Sequence, residues 1–167
     1  MVLPELVRRS STIGLLRLYA EILTELLRRG VVRSRNAPAG DLAEHLAAIV
    51  YQGKLAPRSA KSWDLRTADD RRLQVKGRVI TPGAAGNYSV FRSWDFDLCV
   101  FVQFDPATYN ITAAVEVPMK AVRSTARATP HVNGHRILLR DDLLALDGAV
   151  DRTVEFRQVL EGLDGDP

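Results

Sequence analysis

The chain of 167 residues is long enough to bury one hydrophobic core and too short for two domains of ordinary size. Hydrophobic residues make up 46% of the sequence and charged residues 26%, a composition typical of soluble globular proteins. No apolar run reaches the roughly 18 residues that a membrane-spanning helix needs, and the first arginines follow a short apolar piece, the reverse of a secretory signal. The only cysteine, Cys99, lies in an apolar run and is predicted to be a buried hydrophobe. These features predict a single cytoplasmic domain with no membrane partner.

The net charge is only +3, but basic and acidic residues are unevenly distributed. Residues 54–92 contain nine Lys and Arg against three acids, and residues 118–140 contain five against none. Residues 141–167 reverse this balance with eight acids and two arginines. A basic centre suits a polyanionic ligand such as DNA or RNA, whereas the alternative is that the arginines only solvate the surface.

Two helices are predicted in the first third of the chain. Between residues 10 and 29, apolar side chains recur every three or four positions, and Gly30 ends the pattern. This stripe predicts a helix packed on the core, with a dimer contact as the alternative. A second helix is predicted from Asp41 to Tyr51, where Asp41 and Glu44 have the spacing of a capping box.

The stretch from Ser62 to Val79 predicts a hairpin of two short strands around a polar turn. Strand alternation places Gln74 and Lys76 on one face and Val75 on the other. The hairpin would bring Asp64 beside them, so that an acid, an amide oxygen and an ammonium group meet at one edge. Such a cluster can hold a divalent cation and orient a water molecule. The alternative is an exposed ion pair between Asp64 and Lys76 on a surface hairpin.

A loop rich in glycine and proline follows the hairpin, and Phe91, Arg92 and Trp94 come after it. This mixture suits base stacking or phosphate contact, with coverage of the core edge by the two aromatic residues as the alternative. Further elements are predicted as a central strand at 96–104, strands at 109–117 and 135–139, short helices at 119–125 and 141–146, and an acidic tail, partly helical at best, from 147 onward.

The order of these elements is helix, helix, four strands, helix, strand, helix. This order fits one domain of the α/β class, or mixed α+β class, in which a mixed sheet is flanked by helices and preceded by an extra N-terminal helix.

The hairpin residues resemble the PD-(D/E)xK nuclease superfamily, which has the restriction-endonuclease-like fold. Its pattern is an Asp, a hairpin and an acid-x-Lys triplet. Asp64 matches the Asp and Lys76 the Lys, whereas Gln74 stands where an acid is usual. The chain is also similar, from about Leu15 to Val117, to a family of small bacterial domains of this fold. The features that carry this similarity are Arg35-Asn36, Gly40-Asp41, Ala43-Glu44, Ser62 with Asp64, Gln74 through Arg78, and Phe96-Asp97.

The resemblance implies a nuclease-like core over residues 38–146, with an N-terminal helix and connector at 1–37 and the acidic tail at 147–167. It also implies a Mg²⁺ or Mn²⁺ cofactor. The expected metal ligands are Asp64, the side-chain oxygen of Gln74, the backbone carbonyl of Val75, and Glu44, which would then face the hairpin instead of capping its helix.

The implied activity is metal-dependent hydrolysis of phosphodiester bonds in nucleic acid, DNA more than RNA. The catalytic residues would be Asp64, Gln74, Lys76 and Glu44, with an exposed Lys76 near the attacking water. The expected phosphate contacts are Arg78, Arg92 and Lys61. The alternative function is a non-catalytic nucleic-acid-binding or assembly module that keeps the fold, and a homodimer fits either function.

Overall fold

The computed structural model describes residues 3–57, 60, 62–139 and 141–163. Over these residues the chain is mixed α/β, as predicted, with a six-stranded sheet in the order β1-β2-β3-β4-β5-β8 and a separate pair of strands, β6 and β7. The helices are α1 (Leu3–Arg9), α2 (Thr12–Arg28), α3 (Ala39–Val50), α4 (Met119–Thr125) and α5 (Thr153–Gly162). The strands are β1 (Lys54–Leu55), β2 (Leu65–Arg66), β3 (Arg72–Val79), β4 (Leu98–Phe104), β5 (Ile111–Pro118), β6 (Arg127–Thr129), β7 (Gly134–Arg136) and β8 (Val150–Asp151).

Strand β4 is the centre of the sheet, and all its residues except Gln103 are buried. Because successive side chains of a strand point to opposite faces, β3 and β4 contribute side chains to the two faces of the sheet, where two separate apolar clusters form. One lies under α3 and α5 and includes Leu73, Val75 and Val100. The other lies on the opposite face and includes Cys99, which is buried as predicted.

Strands β3 and β4 run parallel, whereas the other neighbouring pairs are antiparallel. A parallel pair requires the chain to return along the length of the sheet, and residues 80–97, here called the strap, make this return. The strap crosses the face opposite α3. Tyr88 and Phe91 are buried there, and the backbone of Phe91 exchanges two hydrogen bonds with that of His135.

Helix α3 packs against β3 at unusually short range. A Cβ atom added to Gly77 would lie 2.4 Å from the carbonyl oxygen of Ala39 and 2.5 Å from the Cβ of Ala43. Only a residue without a side chain permits this approach. The contact fixes the distance between α3 and the strand that carries Gln74 and Lys76.

The capping box predicted for α3 is wrong. The helix begins at Ala39, before Asp41, and Pro38 stands at its cap without a side-chain hydrogen bond. The Asp41 carboxylate instead accepts hydrogen bonds from the backbone N–H groups of Arg33 and Ser34, at 2.8 and 2.7 Å. Asp41 therefore ties the preceding connector to the first turn of the helix.

Helix α2 is confirmed, but its predicted packing on the core is mostly wrong. Ser11 caps the helix by accepting a hydrogen bond from the N–H of Gly14, and Leu23 is the one α2 residue that is buried. Much of the apolar stripe, including Leu16 and Ile22, is exposed. None of the helices that the structure describes is long and apolar enough to cross a membrane.

The C-terminal segment, predicted as an acidic tail that is partly helical at best, forms helix α5 and packs on the core. Phe156 of α5 is fully buried in the cluster under α3, and Arg152 contacts the buried Glu116 of β5 at 3.1 Å. The hydroxyl group of Tyr51 donates a second hydrogen bond to Glu116, at 2.7 Å. Residues 141–146, predicted as a short helix, form one 3₁₀ turn capped by Asp142.

Candidate functional site

Asp64 lies at an edge of the sheet where strand pairing stops. Strand β2 is two residues long and lies between β1 and β3, so it covers only the beginning of β3. The backbone N–H of Asp64 donates to the carbonyl of Leu73 at 2.8 Å. One residue pair further along, the Asp64 side chain takes the place of a strand, because its Oδ2 accepts from the N–H of Val75 at 2.6 Å. The carboxylate is thus held on the bare edge of β3.

Gln74 contacts the same carboxylate oxygen. Its side-chain Nε2 donates to Oδ2 of Asp64. The predicted grouping of Asp64 and Gln74 is therefore present, but the amide holds the carboxylate with its nitrogen instead of offering its oxygen to a cation beside it. A half-turn of the Gln74 amide would exchange the two atoms.

The backbone carbonyl of Val75 points toward the edge that Asp64 occupies. On β3, the carbonyl of Arg72 accepts from the N–H of Asp97 on the β4 side, whereas that of Leu73 accepts from Asp64 on the opposite side. Backbone carbonyl groups alternate in direction along a strand, so the carbonyl of Val75 faces the same side as that of Leu73, which is the Asp64 side. Among the described residues none donates to this carbonyl, because β2 ends before reaching it.

Glu44 enters the site from α3. It lines, with Asp64, a cleft of about 220 Å³ that we call the acid cleft. Glu44 thus faces the hairpin side, as the resemblance implied, and makes no capping interaction. The residues that line the acid cleft are Arg33, Ser34, Asn36, Asp41, Glu44, Ala56, Pro57, Ala60, Trp63 and Asp64.

Burial is the largest influence on the pKa of both acids. It raises the pKa of Glu44, and the nearby charge of Asp64 raises that pKa further, whereas contact with Arg33 lowers it. Burial also raises the pKa of Asp64, against the stabilising hydrogen bond from Val75 and the charge of Lys76. Two partly desolvated carboxylates in one cleft are an arrangement that a cation stabilises.

Lys76 is buried, not exposed as predicted. Its side chain shares the strap-side face of β3 with Gln74 and lies beneath the strap, so that only 7% of the residue is accessible. The ammonium group donates to the carbonyl of Val90 at 3.2 Å and lies 4.5 Å from the ring centre of Phe91. Burial lowers the pKa of Lys76, while the charges of Asp64 and Glu44 act in the opposite direction.

The proposed exposed ion pair between Asp64 and Lys76 is therefore wrong. Neither group is exposed, and no direct salt bridge joins the two within the part of the chain that the structure covers. The two charges influence each other's pKa across the edge of β3 instead.

The predicted phosphate contacts fall in different environments. Arg78 is exposed on the strap-side face, and its Nη1 donates to the backbone carbonyl of Asn87, so it ties the strap to β3. Arg92 is exposed on the strap, and its charge lowers the pKa of the neighbouring Lys76. Lys61 lies outside the described residues.

The aromatic residues of the strap belong mainly to the core. Phe91 is buried, and its ring stacks on that of half-buried Trp94 with the centroids 5.4 Å apart and the planes at 11°. Coverage of the core edge is therefore the correct interpretation for Phe91, which is not accessible to a base.

The oxygen donors fit a magnesium ion better than a metal that needs many protein ligands. In the described ranges no three His, Cys, Asp or Glu residues converge to hold a metal. However, Mg²⁺ is commonly held by one or two carboxylates, with water and substrate phosphate completing the octahedron. Asp64 Oδ1 and Glu44 Oε1 accept no hydrogen bond from the described residues, and the Val75 carbonyl faces the Asp64 edge. These three oxygens are the candidate ligands.

Arg33 is a site residue that the sequence reasoning missed. Its Nη2 contacts Oε2 of Glu44, and its Nη1 donates to the carbonyl of Ala56 at 2.9 Å. Arg33 is one of the arginines before α3, and nothing in the sequence distinguishes it from the others. In the fold, the Asp41 carboxylate accepts a hydrogen bond from the backbone N–H of Arg33, and the Arg33 side chain lines the acid cleft.

No protein-family model matches this chain, and no curated protein matches it either.

Proposed function

We propose that this chain is a Mg²⁺-dependent nuclease of the restriction-endonuclease-like type. The observation that carries the proposal is the position of Asp64, whose carboxylate binds the bare edge of β3 beside Gln74 and Val75, with Glu44 in the same cleft. Fold-level support comes from the helix α3, the hairpin β2–β3 and the parallel strand β4. The likeness to that fold is part of the proposal, and the connection between β3 and β4 is an irregular strap that contains no helix.

Each residue has a distinct role in the proposed reaction. Asp64 and Glu44 would bind the ion, whose chemistry is to neutralise charge on the scissile phosphate and to acidify a water molecule. Gln74 and the N–H of Val75 orient the Asp64 carboxylate. Lys76 would stabilise negative charge that develops on the reacting phosphate, from a site whose low exposure strengthens its electrostatic effect.

A non-catalytic nucleic-acid-binding module is the second candidate, and one observation favours it. The ammonium group of Lys76 already has two partners on the strap, the Val90 carbonyl and the Phe91 ring. A lysine held in this way contributes to stability without reaching substrate. This function requires the basic surface but no divalent cation.

Metal binding and cleavage separate the two candidates. The wild-type protein would be titrated with Mn²⁺ by calorimetry and incubated with duplex DNA and with RNA of the same sequence, with EDTA as the metal-free control. A nuclease binds Mn²⁺ and cleaves one of the two substrates only when metal is present. Nucleic-acid binding that is unchanged by EDTA, without cleavage or heat from Mn²⁺, would establish the binding module instead.

A further inference from the structure

Arg33 connects the N-terminal part of the chain to the acid cleft. Its backbone N–H and that of Ser34 both donate to Asp41 on the first turn of α3. This double contact fixes the path of the connector beside the first turn of α3. The guanidinium then contacts two elements at once, Glu44 on α3 and the Ala56 carbonyl after β1.

The contact between Arg33 and Glu44 is partly buried in the lining of the cleft. The side chain of Arg33 is 29% exposed and that of Glu44 is 19% exposed, so water screens their contact only partly. The positive charge of Arg33 lowers the pKa of Glu44 and also that of Asp64. One arginine therefore compensates the charge of both acids.

An arginine and a divalent cation cannot both neutralise this pair of acids in full. Oε2 of Glu44 is taken by Arg33, and the guanidinium brings a full positive charge close to the position where the ion would bind. A cation that approaches Glu44 meets electrostatic repulsion until Arg33 moves away. The ion would also leave the guanidinium without its carboxylate partner, which has a cost of its own.

We propose that Arg33 is an internal counter-ion that competes with the divalent cation for Glu44 and so weakens metal binding by the resting protein. The inference rests on the proposed metal site and adds a residue that regulates it. Asp64, which the arginine does not contact directly, would bind the ion first, and Glu44 would join only when Arg33 is displaced.

The test compares Mn²⁺ affinity among four proteins by calorimetry. They are the wild type, Arg33→Met, Arg33→Lys and the control Arg35→Met. Arg35 lies on the same connector, outside the lining of the acid cleft, and its side chain donates to Thr24 at 3.2 Å, so its substitution removes the same charge away from the cleft. Coupling between two sites in proteins typically changes affinity about 5- to 150-fold, and we expect Arg33→Met to bind Mn²⁺ at least about tenfold more tightly.

The remaining variants sharpen the result. Arg33→Lys keeps the charge but cannot reach Glu44 and the Ala56 carbonyl with one planar fork, so its affinity should lie between those of the wild type and Arg33→Met. Arg35→Met should match the wild type. Without metal, Arg33→Met should melt below the wild type, because two carboxylates lose their counter-ion, and saturating Mn²⁺ should raise its melting temperature by more.

Two outcomes would overturn the inference while leaving the metal site intact. Equal Mn²⁺ affinity in the wild type, Arg33→Met and Arg33→Lys means that the arginine does not compete. Weaker binding in Arg33→Met means that Arg33 holds Glu44 in position for the ion. If none of the four proteins binds Mn²⁺, the metal site itself is refuted and the inference is refuted with it. Should Arg33→Met not fold, the comparison between Arg33→Lys and the wild type decides by the same criteria.

Discussion

Asp64, a proposed metal ligand, contacts β3 at Val75, the residue next to the proposed catalytic Lys76, yet the surroundings of the two charged groups differ. Asp64 binds at Val75 on the bare edge, and its Oδ1 accepts no hydrogen bond from the described residues. The side chain of Lys76, the residue after Val75, lies on the strap-side face of the sheet and is covered by the strap. The Asp64 carboxylate thus keeps one oxygen without a hydrogen bond from the described residues, whereas the Lys76 ammonium group already contacts the Val90 carbonyl and the Phe91 ring. This difference is consistent with the proposed binding role of the acids, and it shows that the lysine also contributes to the fold.

Asp64→Asn should have the largest effect on activity. The amide oxygen of the asparagine can still accept a hydrogen bond from the N–H of Val75, but the negative charge that would attract the ion is lost. We expect Mn²⁺ binding to disappear and the single-turnover rate to fall on the order of 10²–10³-fold. Because burial raises the pKa of Asp64, the folded protein holds its charge at a cost, so the melting temperature should stay equal or rise.

The matched control is Asp70→Asn in the turn of the same hairpin, where the carboxylate is exposed and contacts Arg66. This variant should bind metal and cleave as the wild type does. Wild-type cleavage by Asp64→Asn would remove Asp64 from the site.

Lys76 should separate packing from charge. Because the side chain is buried, Lys76→Ala leaves a cavity under the strap and should lower the free energy of unfolding by about 1–3 kcal/mol. An exposed lysine, as the sequence predicted, would leave stability nearly unchanged. Lys76→Met fills the same space without a desolvated charge and should be as stable as the wild type or more so. Urea unfolding measures all three proteins.

Both Lys76 variants should lose hydrolysis if the ammonium group acts on the phosphate. Single-turnover cleavage is the relevant assay because it isolates the chemical step. Wild-type cleavage by Lys76→Met would show that Lys76 contributes only to stability and takes no part in the reaction.

Gln74→Glu tests whether the acidic side accepts more charge. The new carboxylate would lie beside Asp64 and should raise Mn²⁺ affinity about tenfold, because opposite charges attract more strongly in a partly desolvated cleft than in water. Without metal, the same variant should be less stable, since two carboxylates then repel each other. Calorimetric titration and melting with and without Mn²⁺ measure both effects. Unchanged metal affinity would show that residue 74 does not face the ion.

Arg92 and Arg78 should give the smallest and most specific difference. Arg92 is exposed on the strap, so Arg92→Ala should reduce the slope of log affinity for DNA against log salt by about 1, with stability unchanged. Arg78 is tied to the Asn87 carbonyl, so Arg78→Ala should loosen the strap and lower the melting temperature as well. A salt slope near zero for the wild type would contradict nucleic-acid binding as a whole.

Local pattern was enough to predict the elements that build the site. The hairpin with its polar turn, the buried strand at β4 and the helix at α4 are all present, because alternation, apolar runs and a proline at a helix start depend on near neighbours in sequence. The proximity of Asp64 to Gln74 followed from the hairpin in the same way.

Tertiary contacts decided what the sequence could not predict. The exposure of Lys76 depends on a strap that pairs with β7, more than 40 residues further along the chain. The start of α3 depends on Asp41 binding the connector instead of capping the helix. The packing of α5 depends on Phe156 and on the contact between Arg152 and Glu116, neither of which local polarity reveals. In each case, a long-range contact outweighed local propensity.

The missing side chain at Gly77 has a consequence for which ion the cleft could hold. Ala39 and Ala43 rest on that glycine, and Glu44 is the next residue of the same helix. A methyl group at position 77 would force α3 away from β3 and would carry Glu44 away from Asp64. Mg²⁺ needs oxygens at about 2.0–2.1 Å, and Ca²⁺ takes them at about 2.3–2.6 Å. In the proposed metal site, Gly77 would therefore set the distance between the two carboxylates, and with it the ionic radius that fits, without contacting the ion itself.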